Sequence, residues 1–141
     1  MKVFVDGAFS LGSSVVGCGG VVRDLEAFMY SVYGSSSVET ELWGCLWGLR
    51  RAWDSGFRHV SLFSDAVSVV EGLEHGVSEL HEYADLFAEV GKLLRHQWIV
   101  ELRVISREDN VAADFLAKSS FNYSLGIHVV PKADVVHLSR M

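Results

Sequence analysis

The first third of the chain alternates short apolar runs with small polar residues, a pattern that predicts β-strands. The expected strands cover residues 2–6, 15–23 and 27–33. Small turn-forming residues at 7–14 separate the first two strands, and residues 23–26 make a plausible hairpin connection between the last two. Three successive antiparallel strands are therefore predicted.

From Val38 onward the apolar residues recur at spacings of three and four, which is typical of one face of a helix. This stripe consists of Val38, Leu42, Cys45, Leu46, Leu49 and Trp53. Serines at 35–37 provide N-cap candidates, and Gly56 provides a terminator. The pattern predicts a helix over residues 38–55.

The rest of the chain alternates strands with helices. Strands are expected at 59–64 and 98–106, and helices at 66–74, 77–96 and about 109–118. Strands that are reached through helices run parallel to a neighbour. The predicted architecture is an α/β fold with a mixed five-stranded sheet, three antiparallel strands and then two parallel ones, flanked by helices.

A length of 141 residues suits one domain with one continuous core. Half of the residues are apolar, which argues against disorder, and a single proline leaves no stretch typical of a flexible linker. We therefore expect one domain over residues 1–141. Cys18 and Cys45 lack the spacing of a disulfide framework or a zinc site and are predicted to be buried free thiols.

The sequence shows no basic leader and no apolar run of the ~20 residues that cross a bilayer. This predicts an intracellular protein, cytoplasmic or nuclear, with no membrane association. The net charge of −6 argues against strong, indiscriminate binding of nucleic acid, because neutralising phosphates normally requires a basic face.

Two predicted strands end in an aspartate, Asp6 and Asp65. If these strands lie side by side and parallel, with about 5 Å between the strands, the two carboxylates meet at the carboxyl edge of the sheet. Carboxylates so close repel each other unless one is protonated or a cation lies between them. Oxygen ligands favour Mg²⁺ or Mn²⁺. A single aspartate at a strand end more often caps the following turn, so the pair is the informative observation.

Two further acids are less decisive. Spacing does not choose between Glu39 and Glu41 at the start of the long helix, where an acid is often only a partner of the helix dipole. Asp114 borders the buried face of the last helix, where a lone aspartate is ordinarily solvated. Trp43 and Trp47, four residues apart, are expected to be covered by another element rather than free to stack on bases.

Five short motifs, in order, resemble the RNase H family, and most closely the reverse-transcriptase-like RNase H domains abundant in plant genomes. They are Val-Asp-Gly-Ala at 5–8, Gly-Cys-Gly-Gly-Val-Val-Arg-Asp at 17–24, Thr-Glu-Leu-Trp-Gly at 40–44, Phe-Ser-Asp-Ala at 63–66, and Arg-Glu-Asp-Asn at 107–110 followed by Ala-Asp-Phe-Leu-Ala-Lys at 113–118. The likeness covers a core of about residues 2–119, with a C-terminal tail of about 120–141, and it selects Glu41 over Glu39.

The resemblance implies that Asp6, Glu41, Asp65 and Asp114 are catalytic and bind two Mg²⁺ or Mn²⁺ ions. Asp6 would bridge both ions, Glu41 and Asp65 would complete the sphere of one, and Asp114 would hold the other. The implied reaction is hydrolysis of the RNA strand of an RNA–DNA hybrid, recognised through groove shape and 2′-hydroxyls. The implied substrate contacts are Gly7, Arg107 and Asn110.

The chain departs from the family pattern in three places. Residues 103–107 lack a histidine that relatives carry near the last acid, and Ala66 stands where the family often has Ser or Thr. The segment between the middle helices is acidic, so the basic insertion of some relatives is missing. Weak substrate affinity is expected.

Such a domain, otherwise expected to be monomeric, would depend on a neighbouring polymerase or nucleic-acid-binding domain for substrate grip. The main alternative is a catalytically weak or inactive RNase H-fold module, derived from a retroelement, that binds nucleic acid or protein. An integrase-like or exonuclease relative fits the order of the acids less well.

Overall fold

Six strands and four α-helices form within residues 1–10 and 12–131, the part of the chain described by this computed structural model. The strands are β1 (Lys2–Phe9), β2 (Val15–Val22), β3 (Glu26–Tyr33), β4 (His59–Ser64), β5 (Ile99–Val104) and β6 (Gly126–Pro131). The helices are α1 (Ser37–Asp54), α2 (Val67–His75), α3 (Ala84–Leu94) and α4 (Val111–Ser119), with 3₁₀ turns at Arg107–Asp109 and Ser120–Asn122.

The strands make one mixed sheet in the order β5-β4-β1-β2-β3-β6. β1, β2 and β3 are antiparallel neighbours, while β4 runs parallel to β1 and β5 runs parallel to β4. These pairings confirm the predicted mixed α/β sheet and its crossovers.

The prediction of five strands is wrong, because β6 extends the sheet beyond β3. This strand pairs antiparallel with β3 and places Val130 against the buried Ala27 and Met29. The segment is short and follows the last motif that resembles the family, so the sequence alone places it in the C-terminal tail. The rest of that tail, residues 132–141, lies outside the described residues.

Helices cover both faces of the sheet, because neighbouring residues of its central strands point to opposite sides. Val22 and Phe28 belong to the larger core, which α1 and α3 cover. Val21 and Met29 belong to a smaller core beneath Leu116 of α4. Helices α1 and α4 therefore lie on opposite faces of the sheet.

The sequence signals at the ends of α1 agree with the structure. Ser36 is the N-cap, and its hydroxyl accepts a hydrogen bond from the Val38 backbone N–H at 3.2 Å. The helix ends at Asp54, and Gly56 adopts a φ of +91°, a left-handed conformation that favours glycine. Tyr30 of β3 packs against both Trp43 and Trp47.

Helix α3 is shorter than the predicted 77–96, because local hydrogen bonds shape the preceding segment into turns. The Ser78 hydroxyl accepts from the Leu80 N–H at 3.1 Å, and His81 Nδ1 accepts from the Tyr83 N–H at 3.0 Å. Side chains of this kind compete with helical hydrogen bonds. Leu80, which falls within the predicted helix 77–96, is 94% exposed. No helix in the described part of the chain is long and apolar enough to span a membrane.

Candidate metal centre

Asp6 lies inside β1 rather than at its end. The strand was predicted to stop at residue 6, but it continues to Phe9 through its pairing with β2, where Asp6 lies opposite Gly19. The parallel pairing with β4 ends earlier, at Phe4 and Phe63. The Asp6 side chain therefore lies where one neighbouring strand has ended and space has opened beside the sheet.

Asp65 directly follows the last residue of β4, as the sequence predicted. It does not cap the following helix, since Ala66 is the N-cap of α2 and no side chain accepts a capping hydrogen bond there. Within the described part of the chain, Asp65 is therefore not the cap of the following helix.

Glu41 reaches the same place from the start of α1. The backbone N–H of Gly7 donates to Asp6 Oδ1 at 2.9 Å and to Glu41 Oε1 at 3.2 Å, which links strand and helix. One carboxylate oxygen from each of Asp6, Glu41 and Asp65 lies within 4.8 Å of the others. The structure thus brings three of the four predicted acids together.

Glu39, the other candidate on α1, lies elsewhere. Its Oε2 accepts a hydrogen bond from Trp43 Nε1 at 3.3 Å, one helical turn further along. Residues 39 and 41 are about 200° apart around a helix, so only one of them can face β1. The structure places Glu41 there, in agreement with the motif and beyond what periodicity could decide.

Burial makes the carboxylates harder to ionise. Desolvation raises the pKa of Asp6 to about 6, with the charges of Asp65 and Asp114 adding to the effect and hydrogen bonds opposing it. Desolvation also raises the pKa of Glu41 to about 9, helped by the adjacent charge of Asp6. Without a cation, the site therefore disfavours the ionised forms of both Asp6 and Glu41.

Asp114 lines the same cavity as Asp6 and Glu41, a space of about 320 Å³. It projects from α4 and lies outside the set of three close carboxylates. Its Oδ2 accepts from Lys118 Nζ at 3.0 Å. The Asp114 side chain is 42% exposed, and its charge contributes to the raised pKa of Asp6.

Lys118 is a cavity residue that sequence reasoning did not single out. The available signal was its position four residues after Asp114, which places both on one face of α4. Its ammonium group, together with the Arg107 guanidinium that also lines the cavity, offsets part of the carboxylate charge.

The three predicted substrate contacts occupy different environments. Gly7 lines the cavity and leaves no room for a side chain, since a Cβ there would lie 2.6 Å from Thr40 Cβ. Arg107 also lines it, with its guanidinium 92% exposed and 3.9 Å from Asp65. Asn110 is 2% exposed, and its Nδ2 donates to the Val5 carbonyl at 2.9 Å.

Asn110 therefore holds the start of α4 against β1 in this structure. The last helix begins at Val111 and not at the predicted residue 109, because residues 107–109 form a 3₁₀ turn and Asn110 takes the N-cap position of α4. A direct contact of Asn110 with substrate stays a prediction.

The donor set fits a hard divalent cation. It consists of three carboxylates with no histidine or cysteine, the combination that suits Mg²⁺ or Mn²⁺ better than zinc. Glu41 Oε2 is buried and has no hydrogen-bond partner among the described residues. A buried oxygen without a partner is costly, and a cation is one group that can satisfy it.

Comparison with known proteins shows that the sequence matches one protein family. The sequence model of the reverse transcriptase-like family matches residues 4–120. An Arabidopsis thaliana protein whose name assigns it provisionally to ribonuclease H is 33% identical in an alignment that covers 94% of this chain. The chain spans only 23% of the length of that relative.

Solved structures share the fold at low sequence identity. RNase H1 of the archaeon Halobacterium salinarum superposes with a TM-score of 0.77 at 19% identity, covering 86% of this chain and 96% of its own. LC11-RNase H1, solved in complex with an RNA/DNA hybrid, has a TM-score of 0.76 at 16% identity with the same coverage. The N-terminal RNase H domain of a Mycobacterium tuberculosis protein gives 0.75 at 22% identity, covering 86% of this chain and 94% of its own. The chain belongs to the reverse transcriptase-like family, and it has the RNase H fold.

Proposed function

We propose that this domain is a metal-dependent endoribonuclease that hydrolyses the RNA strand of RNA–DNA hybrids by a two-metal mechanism. The observation that carries the proposal is the convergence of Asp6, Glu41 and Asp65 oxygens within 4.8 Å. Asp114, which lines the same cavity as Asp6 and Glu41, supplies a fourth carboxylate. The names of the ribonuclease H relatives support this assignment.

The residues divide into two sets of metal ligands. Asp6, Glu41 and Asp65 would hold one cation, and Asp6 together with Asp114 would hold the other. When bound, such a pair of cations activates water and stabilises the leaving oxygen of the phosphodiester. The Gly7 N–H orients both Asp6 and Glu41 before any cation arrives.

Two cationic side chains at the cavity would meet the substrate. Arg107 is exposed beside Asp65, where its guanidinium can contact a phosphate of the scissile strand. Lys118 is held by Asp114 and would be released towards substrate phosphates as that carboxylate turns to a cation. The 2′-hydroxyl, present only in RNA, provides the basis for selecting that strand.

Cleavage of an end-labelled hybrid by the purified protein with Mn²⁺ tests the proposal. We expect cuts within the RNA strand by the native protein and by Asp54→Asn, an exposed control at the far end of α1. Asp6→Asn should lose at least about 100-fold in rate, because it removes the shared ligand.

Equal RNA loss with native protein and Asp6→Asn would attribute the cutting to a contaminating nuclease. An intact hybrid in every sample would favour the inactive binding or interaction module. Either result would overturn the proposed activity while leaving the fold unaffected.

A further inference from the structure

A second concave surface lies between α1 and α3, a groove with a volume of about 620 Å³. Its floor includes the apolar and aromatic side chains Trp43, Tyr83 and Leu86. Its rim carries four carboxylates, Glu39, Glu82, Asp85 and Glu89. We call this surface the acidic groove.

The acidic groove is separate from the metal centre. Glu39 and Trp43 face the groove from α1, whereas Glu41 faces β1, about 200° around the helix. The residues of α3 that line the groove are absent from the lining of the carboxylate cavity. A ligand in the groove would therefore meet none of the proposed catalytic acids.

The charge of the groove excludes one class of ligand and favours another. Among the described residues that line the groove, Lys92 is the one cation, and it is paired with Glu89 at 2.8 Å. A polyphosphate chain would face uncompensated carboxylates and be repelled. A partner that carries arginines or lysines would be attracted, and charge complementarity of this kind fixes orientation and speeds association.

An exposed apolar residue stands next to the groove. Leu80 is 94% exposed, two residues before Glu82, in the turn that leads into α3. That turn is held by the Ser78 and His81 side chains, and the His81 ring packs edge-on against Phe87 at 5.2 Å. These side-chain contacts hold the turn in a conformation that leaves the Leu80 side chain in solvent, close in sequence to Glu82 and Tyr83 of the groove.

We propose that the acidic groove docks a basic amphipathic segment of a partner protein. Arginine or lysine side chains of the segment would pair with Glu82 and Asp85, and its apolar side chains would contact Trp43 and Leu80. The inference stands without the proposed function, because no residue of the metal centre takes part.

A pair of synthetic helical peptides tests the proposal. The probe carries arginines on one face and leucines on the other, and its control has glutamates in place of the arginines. Amide chemical shifts of the ¹⁵N-labelled protein report where each peptide binds. We expect the arginine peptide alone to shift the signals of Trp43, Tyr83 and Leu86.

Matched variants distinguish peptide binding in the acidic groove from unspecific attraction to the negative charge of the protein. Glu82→Gln with Asp85→Asn should weaken binding about tenfold, since two exposed ion pairs are lost. Glu71→Gln with Glu74→Gln removes the same charge from exposed positions on α2 and should change affinity less than twofold. Leu80→Ser should also weaken binding, and Asp65→Asn should leave it unchanged.

Equal weakening by both double variants would overturn the proposal, because it would mean unspecific attraction to an acidic protein. Shifts confined to the metal cavity, or loss of binding in Asp65→Asn, would also overturn it. If an RNA–DNA hybrid shifts the groove signals and the arginine peptide does not, the groove is a nucleic-acid surface and the proposed occupant is wrong.

Discussion

Glu41 is an acid whose surroundings oppose its ionised form. It is largely buried, one oxygen has no partner among the described residues, and Asp6 lies beside it. Without a cation these conditions raise the pKa of both carboxyl groups. The metal-free protein therefore keeps protons that its unfolded chain would release.

This linkage fixes the sign of a pH effect. Between about pH 4.5 and 9 the unfolded chain releases the Glu41 proton while the folded chain retains it, so the free energy of unfolding falls as pH rises. In EDTA we expect the urea midpoint of the native protein to decrease from pH 5 to pH 8. Glu41→Gln should flatten this dependence, because glutamine does not titrate.

Glu71→Gln, an exposed change on α2, serves as the control and should keep the native slope. If Glu41→Gln and the native protein lose stability in parallel over this pH range, Glu41 is not the group responsible.

Gly7 permits the contact between β1 and the start of α1. A Cβ at this position would lie 2.6 Å from Thr40 Cβ and 2.9 Å from its backbone carbon. Gly7→Ala should therefore destabilise the fold by about 1–3 kcal/mol and separate Glu41 from Asp6. Urea unfolding and hybrid cleavage measure the two effects.

Gly91→Ala is the matched control. A Cβ at Gly91 of α3 meets only the mobile end of Arg95, at 3.2 Å, so alanine should be neutral or stabilising by up to about 1 kcal/mol. Equal stability of the two alanine variants would show that the close approach at Gly7 has no energetic role.

At the scale of elements, the position of Asp114 depends on how α4 begins. Asn110 is buried at the N-cap position of this helix, and its Nδ2 donates to the carbonyl of Val5, the residue before Asp6. Asn110→Ala should cost about 1–3 kcal/mol by leaving that carbonyl without its side-chain donor. Activity should fall further than stability explains, because α4 carries Asp114.

Asn122→Ala, at an exposed position, should change neither property. Cleavage by Asn110→Ala at the native rate, under conditions where both proteins are fully folded, would contradict a positioning role for Asn110.

The elements that could be predicted from sequence are those with strong local signals. The apolar stripe and Ser36 define α1, and residues 59–64 were predicted with their observed bounds. Residues 77–83 belong to the predicted helix 77–96, but they form turns instead. Hydrogen bonds to turn-forming side chains hold this segment so that Leu80 lies in solvent. Strand β6 depends on long-range pairing with β3, which spacing along the chain does not encode.

Some residues of the candidate site could likewise be predicted from local patterns, and others could not. The expected parallel pairing of β1 and β4 does bring Asp6 near Asp65, although Asp6 lies inside β1 and not at its end. The choice of Glu41 needed the family motif, because periodicity allowed Glu39 equally. Lys118 was missed, since its importance comes from the cavity into which α4 turns it. The positions of Glu41 and Lys118 at the cavity therefore depend on tertiary packing, which local sequence patterns do not encode.

At the scale of the whole molecule, a net charge of −6 limits how firmly nucleic acid can be held. Hybrid affinity should be weak and should fall with added salt through the few phosphates that Arg107 and Lys118 reach. Arg107→Ala should reduce the slope of log affinity against log salt by about 1. Fluorescence anisotropy of a labelled hybrid at several salt concentrations measures this slope.

Arg95→Ala removes an exposed arginine near the end of α3 and should preserve the native slope. An identical reduction in both variants would indicate a general charge effect in place of a phosphate contact by Arg107.

Thermal unfolding with and without Mg²⁺ tests the central claim, that the converging carboxylates form a divalent-cation site. A cation that binds only the folded chain at about 100 times its Kd stabilises it by about 2.7 kcal/mol, so Tm should rise by several degrees in native protein. Asp65→Asn should fold and lose the rise, while Asp54→Asn should keep it. An unchanged Tm in native protein at saturating Mg²⁺ and Mn²⁺, or an equal rise in Asp65→Asn, would contradict the claim.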